Sequence, residues 1–153
     1  MGDLTFQQFI TAANRMNKSE DDIYRRMARH SGLSDAAFWT LYAIETAPGP
    51  VTQTDICGTL MLSKQTINSA LKQLEREGQI RLSCGPGRKK YLQLTEAGQE
   101  LAGRAIRPAL EVERQAFLGL PEEERASLLA LEQRYLTLLR REANKLFNIS
   151  QEE

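Results

Sequence analysis

Residues 52–94 read TQTDICGTLMLSKQTINSALKQLEREGQIRLSCGPGRKKYLQL, and this stretch decides the fold. Within it Ile67, Ala70, Leu71 and Leu74 recur at the spacing that lines up one face of a helix, and these four are predicted to enter a core. Ser63 stands where an N-cap hydroxyl accepts from the freed N–H groups of a first turn, and Gly78 stands at the left-handed position that ends a helix. Ahead of it, Thr52 and Asp55 form a capping-box pattern. A shorter helix is therefore predicted to begin at Val51 or Thr52 and to bury Ile56 and Leu60, with Met61-Leu62 as the turn. After Gly78, Ile80 and Leu82 alternate with polar neighbours, as do Leu92 and Leu94 with Tyr91 and Gln93, and CGPGRKK lies between as a tip. The order is helix, turn, helix, hairpin. It predicts a mainly α chain with a small β-hairpin wing: a winged helix-turn-helix lobe.

The face of the second helix opposite the core carries Lys64, Gln65, Asn68, Ser69 and Lys72. Short polar side chains and ammonium groups suit base edges and phosphates, whereas a merely solvated face more often pairs Glu with Lys. The tip adds Arg88, Lys89 and Lys90 on a narrow projection that fits a minor groove or a phosphate ridge. The whole chain is neutral, with 20 Lys+Arg against 20 Asp+Glu. Residues 63–91 nonetheless hold seven cations against Glu75 and Glu77, a local charge of +5 balanced by −5 elsewhere. Positive charge gathered on one surface of a neutral protein is an electrostatic footprint for a polyanion.

At 153 residues, 41% hydrophobic and 26% charged, the chain has the size and balance of one globular domain, which excludes disordered, collagenous and small disulfide-stapled classes. No apolar run approaches the roughly 20 residues that cross a bilayer, and MGDLTFQQ lacks the basic and apolar regions of a signal peptide, so a cytoplasmic location away from membranes is expected. Cys57 and Cys84 have no CxxC spacing and His30 is the single histidine, so no metal site is expected. Reduced small side chains, in the core or semi-exposed, are the simpler reading of the two cysteines; a redox switch stays open. His30, near a helix C-terminus, suits the helix dipole. With no nucleophile-base grouping and no phosphate-cradling glycine motif, neither catalytic residues nor a cofactor are expected.

Toward the N-terminus, Phe6, Phe9, Ile10, Ala13 and Met16 make one helical stripe. Ser19 with Asp22 could restart a helix bearing Ile23 and Met27, so one helix or two is left open. Gly32 ends it, and Ser34-Asp35 caps AAFWTLYAIETA, in which Trp39 and Tyr42 are core residues or the border of a pocket. Thr95 is placed to cap a helix from Glu96 to about Leu118, with Pro108 kinking it near Arg104. The last helix, from about Pro121 to Phe147, has one stripe through Leu128, Leu131, Tyr135 and Leu138 and another through Leu129, Leu136, Leu139, Ala143 and Phe147. Two stripes exceed one neighbour, which favours an intermolecular interface shared with the N-terminal helix over an intramolecular bundle. The expected organisation is 1–31 for dimerisation, 32–95 for the winged lobe, and 96–153 for dimerisation.

GLSDAAFWTLYAI, LSKQTINSALKQLEREGQI and RKKYLQLTEAG together resemble the MarR family of bacterial transcriptional regulators over nearly the whole chain. The resemblance implies a homodimer reading a pseudo-palindromic operator in double-stranded DNA through successive major grooves. By position, Ser63, Lys64, Gln65, Thr66, Asn68, Ser69 and Lys72 fall on the reading helix and Arg88 on the wing arginine, with Lys89 and Lys90 sharing its role. The family usually has an acidic residue two positions before that arginine, where this chain has Pro86. The resemblance also implies a repressor released by a small-molecule effector. A cysteine switch is less expected, since that subgroup's cysteine lies near the N-terminus. The competing reading is a winged-helix module that contacts protein through the same surface.

Overall fold

The computed structural model describes residues 3–60 and 62–148. Helix α1 (Phe6–Ser31) is continuous. Thr5 and Gln8 close a capping box at its start, and Gly32 ends it at φ 76°. The Ser19–Asp22 pattern does not restart it: the Ser19 hydroxyl donates to the Arg15 carbonyl 2.9 Å away, one turn back, and so is satisfied within the helix. Helix α2 (Asp35–Thr46) begins as predicted at Ser34, whose Oγ accepts from the Ala37 N–H at 3.2 Å. It is the centre of the core, with Phe38, Thr40 and Leu41 fully buried.

The next element differs from expectation. Val51–Thr52 is a short strand, β1, and helix α3 (Gln53–Thr59) opens one residue later, with Thr52 as its N-cap. Strand β1 pairs antiparallel with β3 (Lys90–Leu94), which also pairs with β2 (Ile80–Cys84), so the predicted hairpin is two strands of a three-stranded sheet in the order β1-β3-β2. Ile56 is buried and Leu60 half-buried; of the predicted turn, Met61 lies outside the described residues. The Asp55 carboxyl is held below the usual carboxylate range by the backbone N–H of Thr52, then by its hydroxyl, with the charge of Lys89 adding least.

Helix α4 (Lys64–Arg76) buries Ile67, Ala70, Leu71 and Leu74, the four residues the spacing selected. Each large apolar side chain so buried contributes about 1.5–3 kcal/mol. Gly78, at φ 72°, turns the chain into β2. Leu82 is 42% exposed although its strand partner Leu92 is buried.

Helices α5 (Glu96–Ala105) and α6 (Arg107–Gly119) replace the single kinked helix predicted over this stretch. Pro108 has no N–H to offer the Arg104 carbonyl, as anticipated, but the chain turns at Ile106 rather than at Arg104. Ile106 is fully buried there, and its own N–H and carbonyl keep their bonds to Ala102 (2.9 Å) and Leu110 (3.0 Å). Arg107 then joins three helices, donating to Glu45 of α2 at 2.7 Å and to Gln99 of α5 at 2.8 Å.

The chain divides into two compact units, residues 1–110 and 111–153. The first holds the core. In the second, Arg125 fastens the turn into helix α7 (Glu122–Phe147): it donates to the Leu120 and Leu118 carbonyls at 2.8 and 2.9 Å and lies 4.8 Å from the Phe117 ring centroid. No described residue of α7 is buried, and Leu131 stands 63% exposed.

One joint ties the end of α4 to the wing and to α5. Thr95 donates its N–H to the Gln79 carbonyl at 3.0 Å and its hydroxyl to the Gly78 carbonyl at 2.5 Å, while accepting from the Gly98 N–H at 3.1 Å. A Cβ on Gly98 would lie 1.9 Å from the Gln79 carbonyl oxygen, which is backbone and has nowhere to go. Gly98→Ala is expected to destabilise the first unit by about 1–3 kcal/mol, read as a lower urea midpoint at unchanged slope. Because the folded Asp55 pKa lies below the unfolded one, its contribution is present above the ordinary carboxylate pKa and is lost as pH falls through the folded value. Thermal melts of wild type and Asp55→Asn should therefore differ at neutral pH and converge as the pH falls through the folded value.

Candidate nucleic-acid interface

The exposed face of α4 divides its polar residues into two kinds. Ser63 and Thr66 are occupied with the cap: the Ser63 Oγ accepts the Thr66 N–H at 3.1 Å and lies 2.7 Å from its hydroxyl. Ser69 donates to the Gln65 carbonyl at 3.0 Å. Asn68 is half-buried and its side-chain oxygen accepts from the Gln53 amide of α3, so it braces the two helices against each other. Lys64, Gln65 and Lys72 are exposed, with no bonded partner among the described residues.

Arg76 belongs with them and was missed. Gln65, Ser69, Lys72 and Arg76 follow one another at four-, three- and four-residue intervals, all exposed, on the row directly opposite the buried face. The row runs about 16 Å along the helix at 1.5 Å per residue, on a cylinder that a major groove roughly 12 Å wide admits. The same spacing argument that selected the core, turned through half a revolution, finds Arg76.

The wing sets its cations apart from α4. The Gly85 N–H donates to the Lys89 carbonyl at 2.9 Å and closes a tight turn over Pro86–Arg88. Gly87 and Arg88 both adopt left-handed backbone, at φ 71° and 60°. For arginine that conformation costs about 1–2 kcal/mol, because its Cβ crowds the following carbonyl. Arg88, Lys89 and Lys90 are exposed, and no carboxylate forms an ion pair with them among the described residues. Arg81 reaches across the sheet to Gln93 at 3.2 Å.

The other candidates fall elsewhere. Trp39 is half-buried among aromatic rings, with centroids 4.9 Å from Tyr24 and 5.3 Å from Tyr42, and packs with Tyr42 against the core. An open groove of about 570 Å³ runs beside Pro48, Val51, Asp55 and Thr59, and neither Trp39 nor Tyr42 lines it. Cys57 is half-buried in α3, Cys84 is exposed at the end of β2, and both are free thiols. His30 is exposed in the last turn of α1. No described helix is long and apolar enough to cross a membrane.

A model of the MarR family matches residues 31–89, which run from the end of α1 to the wing. The HTH-type transcriptional regulator PecS of Dickeya dadantii (strain 3937) is 33% identical over 87 residues, 56% of this chain and 52% of PecS, so the chain matches about half the length of that curated relative. Among solved structures, NMB1585, a MarR family regulator from Neisseria meningitidis, is 25% identical with TM-score 0.70, over 90% of this chain and 96% of that one. The fold is shared with the S. aureus MepR–DNA complex (TM-score 0.63, 21% identity, 91% and 99% covered). It is shared too with Bordetella bronchiseptica BpsR, whose DNA binding is regulated by 6-hydroxynicotinic acid (TM-score 0.59, 21%, 88% and 99%). The chain thus resembles the MarR family of winged helix-turn-helix proteins, by a family model over residues 31–89 and by a fold shared along nine-tenths of its length.

Proposed function

We propose that this protein is a sequence-specific, DNA-binding transcriptional regulator that acts as a homodimer on a pseudo-palindromic operator. The observation that carries the reading is the row of exposed side chains Gln65, Lys72 and Arg76, unpartnered among the described residues and followed by a wing whose three exposed cations form no close ion pair among those residues. Gln65 and Lys72 offer the bidentate and charged groups that read base edges, and Lys64, Arg76, Arg88, Lys89 and Lys90 offer charge to phosphates. Ser63, Thr66, Asn68 and Ser69 shape this surface, and their hydroxyls and amide keep acceptor capacity for phosphate or water contacts. The fold shared with MepR, solved with DNA, and the kinship with the regulator PecS support it.

Pairing of two chains is supported by the exposed apolar faces. Leu128, Leu129, Leu131, Tyr135, Leu136 and Leu139 of α7 are each more than two-fifths exposed, as are Phe6, Met16 and Ile23 of α1. Water-exposed stripes of this extent mark a protein interface. The domain assignment follows: the winged lobe reads DNA, and the N- and C-terminal helices dimerise. Repression relieved by a small molecule is the mode we assign, in line with the control of BpsR by 6-hydroxynicotinic acid.

Fragments selected by the full chain from random duplex DNA are expected to share a pseudo-palindrome, and log affinity should fall with log salt at a slope of about −0.9 per phosphate contacted. Gln65→Ala should cost about 1–3 kcal/mol and relax preference at one base position, whereas Arg88→Ala should weaken all sequences alike and lower the slope by about 1. If both variants bind as wild type does, the surface is misassigned; if no sequence is retained above the non-specific level, the protein-contacting module replaces the regulator. In light scattering the chain should run at twice its monomer mass, and Leu131→Asp should halve that mass and weaken DNA binding together.

A further inference from the structure

Gly85 and Tyr91 meet across the wing in a way that only glycine permits. A Cβ on Gly85 would lie 2.3 Å from Cε2 and 2.4 Å from Cδ2 of the Tyr91 ring, far inside van der Waals contact. The ring therefore rests on bare backbone. Tyr91 itself is anchored, since it lies on the middle strand β3 between Thr52 of β1 and Ser83 of β2. Gly85 is the residue at which β2 gives way to the tip, and its N–H makes the bond to Lys89 that closes the turn.

Beyond this seat the chain has little freedom left. Pro86 has its φ fixed by the ring, and Gly87 and Arg88 follow at φ 71° and 60°. A strained arginine at the end of a projecting turn persists only when its surroundings over-determine it. No ion pair does so: Arg88 has no bonded carboxylate among the described residues, and its neighbours on the turn, Pro86 and Gly87, carry no charge. Packing of the Tyr91 ring on Gly85 is a close contact at the base of this turn.

We propose that Tyr91 is a positioning residue, its ring seated on Gly85 so as to hold the wing tip in one conformation and aim Arg88 at the DNA backbone without an acidic partner; this rests on the DNA-binding reading above. The arrangement has an electrostatic consequence. A carboxylate beside Arg88 would orient it while cancelling much of its field at the phosphates. An aromatic seat orients the turn and leaves the full charge of the guanidinium for the polyanion.

The test uses the full chain in two arms. In the free protein, backbone relaxation at Gly87, Arg88 and Lys89 should report order parameters near 0.8 in wild type and Tyr91→Phe, falling below about 0.6 in Tyr91→Ala and in Gly85→Ala, which expels the ring without deleting it. In the second arm, binding is measured to a duplex selected by wild type from random DNA. Tyr91→Phe should bind like wild type and Tyr91→Ala about tenfold more weakly, and on an Arg88→Ala background the Tyr91→Ala loss should vanish, as coupling through one side chain requires. Pro86→Asp should also weaken binding. Equal losses from Tyr91→Ala with and without Arg88, unchanged order at the tip, or tighter binding by Pro86→Asp would each overturn the proposal. If wild type selects no duplex at all, the DNA-binding reading fails first, and the aiming of Arg88 at DNA falls with it, while the relaxation arm still reports whether the seat holds the tip.

Discussion

The backbone carbonyl of Gln79 is where helix α4, the wing and helix α5 are locked together. It accepts the N–H of Thr95 and leaves no room for a side chain at Gly98, so the first turn of α5 is pressed against the residue that leaves α4. The Thr95 hydroxyl takes the neighbouring Gly78 carbonyl in the same step. Helix α4, the root of the wing and the helix leaving the lobe thus share a few atoms of backbone. Side-chain packing on α2 fills the core of the lobe, and this joint ties the end of α4 to the sheet and to α5 through backbone. A surface made of two elements depends on that tie more than on any contact within either one.

The sequence made the lobe legible because its signals are local and repeated. Ile67, Ala70, Leu71 and Leu74 needed only their spacing, and Ser34, Thr52, Ser63 and Thr95 needed only the chemistry of a hydroxyl beside free N–H groups. What was not legible depends on tertiary context. Two residues of β1 cannot display an alternation, and they are a strand because β3 presents an open edge to them. Ser19 and Asp22 imitate a cap, yet the helix runs on because the Ser19 hydroxyl finds a carbonyl inside it. Pro108 announced an interruption, but where the chain turns was settled by the burial of Ile106.

The candidate surface shows the same division. Polar identity on the outer face of α4 was readable; which of those groups are already engaged was not. Asn68 looks free in a helical projection, and only the approach of Gln53 from fifteen residues earlier ties it down. Arg76 was overlooked for the opposite reason: it sits beside Glu75 and Glu77 in sequence, which reads as a mixed, solvated helix end. In three dimensions it shares a row with Gln65, Ser69 and Lys72, whereas Glu75 lies toward the wing, beside the cleft lined by Lys72 and Leu82. Net charge along the sequence and net charge along a face are different quantities, and DNA would meet the second.

The second unit raises a problem of energy rather than of pattern. Helix α7 runs for 26 residues with none of its described side chains buried. Its first turn is favourable, with three glutamates at the positive end of the dipole and the Arg125 clamp behind them, but such terms are worth a few tenths to about 1 kcal/mol each. Most helical stability in proteins comes from burying an apolar face rather than from intrinsic propensity. The leucines of α7 therefore have to be covered for the helix to persist. If a second copy covers them, as we propose, then folding of this unit and association of two chains are one equilibrium, and its position depends on protein concentration. Dilution would then cost the protein its terminal helix and the pairing of its two reading surfaces in the same step, because a single apolar face serves both.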